Sequence, residues 1–265
     1  MPRLTVRIAD APTAPIPALF EPKFYLLLQG AKRMTIVGET FLCEAGTCAV
    51  ASVGLPFISE VTQASADRPY LGVELKLDPG IVTGLLIDMP DRADRPCRSI
   101  TMASVDASIA EPLERLLRLL DAPYDLAILG AQVERELCYR LLQGPMGGTL
   151  RQIGRGNIKF AQIREAAQWI SANADKPMRV EQLAASAGMS LTSFHRHFKA
   201  TTSHSPLAYQ RYIRLLDARR RLASGTVSVT ETAFATGYAS APQFSREYKR
   251  VFGVPPIRDA ASLRQ

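Results

Sequence analysis

The C-terminal third of the chain contains one sequence pattern twice, at a fixed offset of 50 residues. The copies span 190–206 and 240–256, and six positions match: Ser190/Ser240, Phe194/Phe244, Arg196/Arg246, Phe198/Tyr248, Lys199/Lys249 and Pro206/Pro256. In each copy a glycine-containing turn precedes a serine suited to cap a helix, and aromatic residues follow at i and i+4. The pattern predicts two helix-turn-helix units that bury their aromatic faces and leave a polar face for DNA.

Charge is unevenly divided between the two parts of the chain. Residues 151–265 contain 18 Lys and Arg against 7 Asp and Glu, a net charge of +11, whereas residues 1–150 carry −4. The basic part is the part that contains the repeat. This segregation predicts that the C-terminal part binds a polyanion and that the N-terminal part does not.

Short β-type runs alternate with turn signals in the first third of the chain. Strands are predicted over 24–28, 33–37, 40–43, 47–53, 57–62 and 70–77. Strands this short and closely spaced predict an antiparallel barrel or sandwich. An extended arm with little hydrogen bonding of its own is predicted before these strands, because that stretch contains Pro12, Pro15, Pro17 and Pro22.

Helical periodicity replaces the β pattern after Pro79. Leucines at 113, 116, 117 and 120 predict a helix with Pro112 in its first turn, and a second helix is expected over about 125–142. Two roles stay open for these helices, covering the β-structure and forming a dimer interface. The segment 144–156, with five glycines, is predicted to be a linker, which divides the chain into domains at 1–150 and 158–258.

The rest of the chain is predicted to be helical. Helices are expected over 158–174, 180–187, 190–200 and 206–223, and Ser228 and Glu231 have the spacing of a capping box that opens the second unit. Arg179 stands at the corresponding cap position of the first unit. A continuous helix between the units would let two recognition helices reach successive major grooves about 34 Å apart.

The polar residues of the two recognition helices are the candidate DNA contacts. Arginine bonds guanine bidentately and glutamine bonds adenine, whereas lysine mostly contacts phosphate. For Arg196 and Arg246, a solvated charge or an internal salt bridge stays open as an alternative, and Pro242 is expected to serve the helix start. The candidates are Thr192, Ser193, His195, Arg196 and Lys199 in the first helix and Pro242, Gln243, Arg246 and Lys249 in the second.

Histidine and cysteine usage argues against a metalloenzyme. The first 150 residues contain no histidine, so a metal site in a barrel of that region would lack its usual imidazole ligands. Cys43, Cys48, Cys97 and Cys138 form no Cys-x-x-Cys pair and are expected to be buried thiols. We expect no metal, no cofactor and no catalytic residues.

Membrane insertion is not predicted. No run approaches 18 apolar residues, and Arg3, Arg7 and Asp10 interrupt the stretch where a signal peptide would need an apolar segment. The expectation is a soluble cytoplasmic protein.

Long ordered motifs in the repeat resemble the AraC/XylS family of bacterial transcription regulators. They are Gly-Met-Ser-Leu-Thr-Ser-Phe-His-Arg-His-Phe-Lys at 188–199, Ser-Pro-Leu-Ala-Tyr-Gln-Arg at 205–211, Ala-Arg-Arg at 218–220, Gly-Tyr-Ala-Ser at 237–240 and Gln-Phe-Ser-Arg-Glu-Tyr-Lys-Arg-Val-Phe-Gly-Val-Pro-Pro at 243–256. Phe-Tyr-Leu-Leu-Leu-Gln-Gly at 24–30, with Leu-Pro at 55–56, Gln-Ala-Ser at 63–65 and Pro-Tyr at 69–70, resembles the sensor half of one branch. One departure is that the glycine often found after the first recognition helix is replaced within 201–204.

The resemblance implies an α+β two-domain protein. Its N-terminal half would be an antiparallel, cupin-like β-barrel with helices, and its C-terminal half an all-α double helix-turn-helix. The implied function is a sequence-specific, effector-responsive regulator that binds promoter DNA, with RNA polymerase and a second copy as further partners and activation favoured over repression.

Two other functions stay open. One is a constitutive DNA-binding regulator whose N-terminal half only dimerises, and the more remote one is a cupin-type enzyme. A barrel interior lined by Tyr25, Phe41 and Tyr70 would suit either a ligand pocket or a filled core.

Overall fold

The computed structural model describes residues 3–36, 39–90, 98–154, 158–225 and 227–263. The chain divides into two compact units. The N-terminal unit comprises Met1–Ile16 and Phe20–Ala161, and the C-terminal unit comprises Pro17–Leu19 and Gln162–Gln265.

Antiparallel strands form two sheets in the first third of the chain. The strands are β1 (Leu4–Ala9), β2 (Ile16–Phe20), β3 (Lys23–Gln29), β4 (Ala31–Ile36), β5 (Glu39–Glu44), β6 (Thr47–Ala51), β7 (Leu55–Gln63), β8 (Tyr70–Leu75) and β9 (Ile100–Ser104). The first sheet has the order β1-β8-β3-β6-β9 and the second the order β2-β7-β4-β5. The six predicted strands are confirmed, although Val37 lies outside the described residues.

The two sheets are not closed into a barrel within the described part of the chain, which corrects the predicted barrel closure. The chain passes from the first sheet to the second at Gly30, whose φ is +86°. A side chain there would place its Cβ 2.5 Å from the Gln63 carbonyl oxygen, so only glycine fits this corner. β3 therefore pairs with β6 and β8, whereas β4 pairs with β5 and β7. The α+β class with a helical C-terminal part is confirmed.

The expected N-terminal arm is instead part of the β-structure. β1 pairs along its whole length with β8, and the Thr13 amide donates a 3.0 Å hydrogen bond to the Val61 carbonyl. None of the four prolines lies in β1. Pro17 lies in β2, at the edge of its sheet, where a missing N–H is tolerated, and the other three lie outside the strands.

The first sheet has two different buried faces. Phe24, Leu26 and Val50 lie in one core cluster with the helices that cover the sheet. The intervening residues of β3, such as Tyr25, point to the opposite face of the sheet. On that face the Lys32 ammonium of β4 lies 3.6 Å from the centre of the Tyr25 ring. The sheet is thus packed between helices and the second sheet.

Four helices and a 3-10 turn complete the described N-terminal unit up to residue 154. They are α1 (Pro79–Asp88), α2 (Ala107–Arg118), the turn Leu119–Asp121, α3 (Pro123–Gln143) and α4 (Gly147–Gly154). The helix expected over 125–142 is confirmed as α3. α2 begins earlier than predicted because the Asp106 carboxylate caps it, accepting from the Ile109 amide at 3.2 Å, so Pro112 lies inside the helix.

The predicted linker is largely helical, which corrects the expectation from its glycines. In α4, Leu150 and Ile153 are buried in the core cluster of the N-terminal unit. Two of the glycines allow close packing: a Cβ on Gly154 would come within 2.6 Å of Val82, and one on Gly147 would overlap the Leu142 carbonyl. Residues 155–157 of the predicted linker lie outside the described residues.

The three described cysteines are buried thiols without disulfides, as predicted. Burial raises the pKa of Cys48 to about 11 and the pKa of Cys138 to about 12. Both are therefore protonated near neutral pH, which suits a packing role. Cys97 lies outside the described residues.

The described C-terminal unit is helical apart from its short connections. Its helices are α5 (Ile158–Ala172), α6 (Val180–Ser186), α7 (Leu191–Thr202), α8 (Pro206–Ser224), α9 (Val229–Ala235), α10 (Ala241–Phe252) and α11 (Pro256–Ser262). The predicted capping box is present, since Ser228 and Glu231 each bond the other's backbone amide, whereas Arg179 caps α6 without a side-chain bond. No helix in the described ranges is both long and apolar enough to cross a bilayer.

Candidate nucleic-acid interface

Two helix-turn-helix units lie in the C-terminal unit. α6 and α7 form the first, α9 and α10 form the second, and α8 joins them. In the first turn the Met189 amide donates to the Ala184 carbonyl at 2.9 Å, and in the second the Tyr238 amide donates to the Ala233 carbonyl at 3.0 Å. The opening helices, α6 and α9, therefore correspond at an offset of 49 residues. The recognition helices, α7 and α10, correspond at an offset of 50, because the second turn is one residue longer than the first.

Aromatic side chains fix the inner face of each recognition helix, as predicted. Phe194 and Phe198 are fully buried in α7, and the Phe198 ring meets Tyr209 of α8 edge to face at 5.7 Å. Phe244 and Tyr248 are fully buried at the matching places in α10. Burying these rings orients the opposite side of each helix toward solvent.

A charged cluster adds a second anchor for α10. The Tyr248 hydroxyl donates a 2.6 Å hydrogen bond to Asp259 of α11, and the Arg219 guanidinium of α8 bonds both oxygens of that carboxylate at 2.7 and 3.2 Å. Burial raises the pKa of Asp259, but the bonds from Arg219 and Tyr248 outweigh it and leave that pKa below its ordinary value. The second recognition helix is thus tied to the helices on both sides of it.

Each recognition helix begins at a serine cap. The Ser190 hydroxyl accepts from the Ser193 amide at 3.3 Å, and the Ser240 hydroxyl accepts from the Gln243 amide at 3.2 Å. Pro242 lies in the first turn of α10, where its missing N–H costs nothing.

The predicted DNA contacts lie on the outer faces of α7 and α10. Ser193 and His195 are half-buried, and the other seven are exposed: Thr192, Arg196, Lys199, Pro242, Gln243, Arg246 and Lys249. The side chains of Arg196, Lys199, Arg246 and Lys249 make no hydrogen bond or ion pair with any described residue. An internal salt bridge to a described residue therefore does not account for these four cations.

Gln243 has a partner that the sequence did not reveal. Its amide nitrogen donates to Glu247 at 3.3 Å, and the other oxygen of Glu247 accepts from the Tyr238 hydroxyl at 3.0 Å. The chain of bonds restrains the Gln243 side chain at the start of α10. Tyr238 and Glu247 are therefore supporting residues of the outer face. Arg250, which is exposed one residue after Lys249, extends the basic surface and was also not among the candidates.

Two arginines of α8 make internal bonds. Arg219 makes the ion pair with Asp259, and Arg214 donates to backbone carbonyls on either side of α8. Neither bond could be predicted from spacing along α8, because the acceptors lie 23 to 40 residues away in sequence.

Comparison with known proteins identifies the family. Residues 1–149 match the family model of the AraC-type transcriptional regulator N-terminus, and residues 183–260 match a helix-turn-helix domain. The chain belongs to the AraC-type transcription regulators. Both parts of the chain are accounted for by this membership, the N-terminal part by the AraC-type model and α6 to α11 by the helix-turn-helix match.

Curated AraC-type relatives are similar over part or most of the chain. The HTH-type transcriptional regulator ArgR of Pseudomonas aeruginosa is 26% identical over 57% of this chain, which covers 46% of ArgR. ExsA of the same species is 25% identical over 90% of this chain and 85% of its own. The transcriptional activator RhaS of Yersinia pestis is 30% identical over 54% of this chain and 49% of its own. With ArgR and RhaS, the chain thus spans about half the length of the relative or less.

One solved fold covers nearly the whole chain. An apo variant of ToxT from Vibrio cholerae superposes with a TM-score of 0.61 over 98% of both chains, at 10% identity. ToxT bound to an unsaturated fatty acid gives a TM-score of 0.58 over 97% of this chain and 94% of its own, also at 10% identity. These similarities establish the shared fold.

Among the described residues, metal binding has no candidate site. Across residues 3–36, 39–90, 98–154, 158–225 and 227–263, no three His, Cys, Asp or Glu residues form a group that could hold a metal ion.

Proposed function

We propose that this regulator places α7 and α10 in successive major grooves of promoter DNA. The observation that carries the proposal is the repeated outer face, where Arg196 and Arg246 occupy matching exposed positions with no described partner. In both helices we assign the arginine to base contacts and the lysine to phosphate contacts. Gln243 would contact bases from the first turn of α10, and His195 and Thr192 would contribute from α7.

A domain assignment accompanies this function. We assign DNA binding to residues 158–258 and sensing or dimerisation to residues 1–150. The division of charge supports the assignment, since residues 151–265 carry +11. Residues 1–150 carry −4, which disfavours a second contact with DNA. We further infer that the protein acts in the cytoplasm by binding, without catalysis. We also infer that it activates transcription with RNA polymerase as its partner, and the relatives named activators support activation.

The test is a footprint on a selected site. The full-length wild-type protein first selects duplexes from a randomised library, and the selected duplex is then footprinted with Arg196→Ala and Arg246→Ala. We expect protection across about two helical turns, with each variant losing protection in one half. Arg118→Ala is the matched control, because this exposed arginine belongs to α2 in the N-terminal unit. Binding without a selected sequence, unchanged in both variants, would refute the proposal.

We also propose that the regulator responds to an organic acid bound between the sheets of its N-terminal unit, beside Lys32. Lys32 is only 5% exposed, and its ammonium makes no hydrogen bond or ion pair with a described residue. Burial lowers the pKa of Lys32 to about 8. The Tyr25 ring lies against this ammonium, and a carboxylate would add the anion that no described residue supplies. The acid ligands named for ToxT, an unsaturated fatty acid and a naphthyl-butenoic acid, support this ligand class.

Thermal unfolding with matched ligands tests the effector. Unsaturated fatty acids and arylbutenoic acids should raise the melting temperature of the wild type, whereas the corresponding alcohols should not. Lys32→Met should abolish the shift, and Lys76→Met, on an exposed lysine beyond β8, should keep it. Equal shifts from acids and alcohols, or none from the acids, would favour the constitutive regulator instead.

A homodimer is the third part of the proposal. α3 presents Tyr124 and Ile128 one helical turn apart, with exposures of 91% and 68%. Large apolar side chains exposed on one helix face are typical of a protein interface. Sedimentation of the wild type and of Ile128→Glu should show a dimer that the variant loses, and a monomeric wild type would refute this part.

A further inference from the structure

Arg214 lies on α8 between the two helix-turn-helix units and bonds to the connection that leads into the first unit and to the turn of the second. Its Nε donates to the Ala174 carbonyl at 2.5 Å, and its Nη2 donates to the Lys176 carbonyl at 3.1 Å. These carbonyls belong to the connection between α5 and α6, which leads into the first unit. Its Nη1 donates to the Gly237 carbonyl at 2.7 Å, inside the turn of the second unit.

The backbone segments joined by Arg214 also touch each other directly. Gly237 has a φ of +83°, and a Cβ built on it would overlap the Asp175 carbonyl oxygen. The same Cβ would come within 3.0 Å of the Arg214 guanidinium carbon. The turn of the second unit therefore packs against the entrance of the first unit at a place that admits no side chain.

Gln210 shows which part of this arrangement belongs to Arg214 alone. Gln210 lies one turn earlier on α8, is buried, and donates to the Ala174 and Lys176 carbonyls at 3.0 and 2.9 Å. It holds the entrance of the first unit against α8 but makes no bond to the second turn. The bond to Gly237 makes Arg214 the side chain that links the entrance of the first unit to the turn of the second.

Helix α8 alone gives weaker control of the angle between the recognition helices. The two units attach to its opposite ends, and 19 residues of helix separate those ends. A small rotation at either attachment would displace a recognition helix from its groove. Three hydrogen bonds from one planar guanidinium restrain such rotation, because the fork has fixed geometry and its donors carry the charge.

We infer that Arg214 is a positioning residue that fixes the orientation of α10 relative to α7 and thereby sets the spacing of the two half-sites. It acts on DNA through the helices it orients, and it contributes preorganisation to binding. The inference rests on the proposed docking in successive grooves. It predicts an effect on the cooperation of the two helices and none on either helix by itself.

The test measures affinity as a function of half-site spacing. Duplexes carry the selected site with its native spacing, with one or two base pairs inserted or removed between the half-sites, or with only one half-site. The full-length wild type should bind the native spacing best. Arg214→Gln should weaken binding to the native spacing about tenfold, leave single half-site binding unchanged and flatten the spacing profile.

Two further variants complete the test. Gly237→Ala should reproduce the flattened profile, because its Cβ pushes the turn away from Asp175, and it keeps the test valid if Arg214→Gln does not fold. Arg220→Gln is the matched control: this arginine is on the same helix, is 79% exposed, and bonds only Asp217 among the described residues. Its spacing profile should be that of the wild type.

Two results would overturn the role of Arg214. One is a wild-type spacing profile in both Arg214→Gln and Gly237→Ala. The other is an equal loss on single half-sites and on the full site, which would mean that Arg214 only supports folding. A wild type with no preferred spacing is a different outcome, since it would refute the two-groove docking itself and the inference with it.

Discussion

Ser203 holds, with a φ of 63°, the left-handed backbone position that Gly253 holds with a φ of 77° in the second unit. The turns match in their bonding, since each amide donates at 2.8 Å to the carbonyl of a lysine four residues earlier, Lys199 or Lys249. Ser203 is the only non-glycine residue with positive φ among those described. The glycine missing from 201–204 is thus replaced without a change in the fold of the turn.

Replacing Ser203 with glycine should stabilise the C-terminal unit. The left-handed conformation costs an L-residue about 1 kcal/mol, and glycine removes most of that cost. We expect the urea midpoint of Ser203→Gly to rise. The reciprocal Gly253→Ser should lower it by a similar amount, since a Cβ at Gly253 meets no atom within 4 Å and only the backbone term changes. An unchanged midpoint in both variants would contradict this account.

Asp259→Asn should destabilise the protein by about 3 kcal/mol, because it leaves the buried Arg219 guanidinium without its anion. Urea unfolding at pH 7 measures the loss. Asp217→Asn is the control, since its partners Arg220 and Arg221 are largely exposed and the loss should stay below about 0.5 kcal/mol. Equal losses in the two variants would refute the structural role of Asp259.

The same carboxylate should make stability sensitive to acid. The pKa of Asp259 is lowered in the folded protein, so the unfolded chain binds more protons as the pH falls below about 4. This contribution is complete above the unfolded pKa and is lost as the pH falls through the folded pKa. Urea titrations from pH 6 to pH 3 should show a shallower loss in Asp259→Asn than in the wild type.

Lys32→Met should stabilise the ligand-free protein near neutral pH by about 1–3 kcal/mol, because a buried ammonium without an anion is costly. Burial lowers the pKa of Lys32 to about 8, so between pH 8 and its unfolded value the unfolded chain binds more protons and wild-type stability rises with pH. Chemical unfolding from pH 7 to pH 10 should show this rise in the wild type and not in Lys32→Met. Lys76→Met, at an exposed lysine, should retain it.

Arg246→Ala and Lys249→Ala should affect DNA binding in different ways. Loss of a bidentate base contact should cost about 1–3 kcal/mol on the selected site and relax base preference there. Loss of a phosphate contact should weaken binding to every duplex and reduce the slope of log affinity against log salt by about 1. Titrations at four salt concentrations, on selected and scrambled duplexes, distinguish the two. Identical behaviour of the variants would refute the division of roles.

Patterns local in sequence predicted most of the fold. The six strands between residues 24 and 77 were predicted because glycine-rich turns separate short β-type runs, and α3 because its apolar residues recur at helical spacing. β1 and β9 were missed because their pairing partners, β8 and β6, lie far away in sequence. α4 was predicted to be a linker because glycine occurs both in flexible segments and where helices pack closely, and the sequence alone does not distinguish the two.

The outer faces of the recognition helices were predictable for a similar reason. Because the pattern repeats at an offset of 50, the sequence distinguishes buried aromatic positions, such as Phe194, from exposed polar positions, such as Arg196. The support behind those faces was not predictable. Arg214 and Arg219 have the sequence context of exposed helix arginines, and only the three-dimensional arrangement brings Gly237 and Asp259 to them.

The two recognition helices bury aromatic residues at matching positions but differ in their outer residues. His195 of α7 corresponds to Ser245 of α10, and Ser193 corresponds to Gln243. If both helices dock as proposed, the site contacted by one chain would not be palindromic, and that chain would occupy it in one direction only. Directional binding of this kind would fix which side of the protein faces the start of transcription. Each half of the site can also change by substitution in one helix, while the aromatic scaffold of the other is left intact.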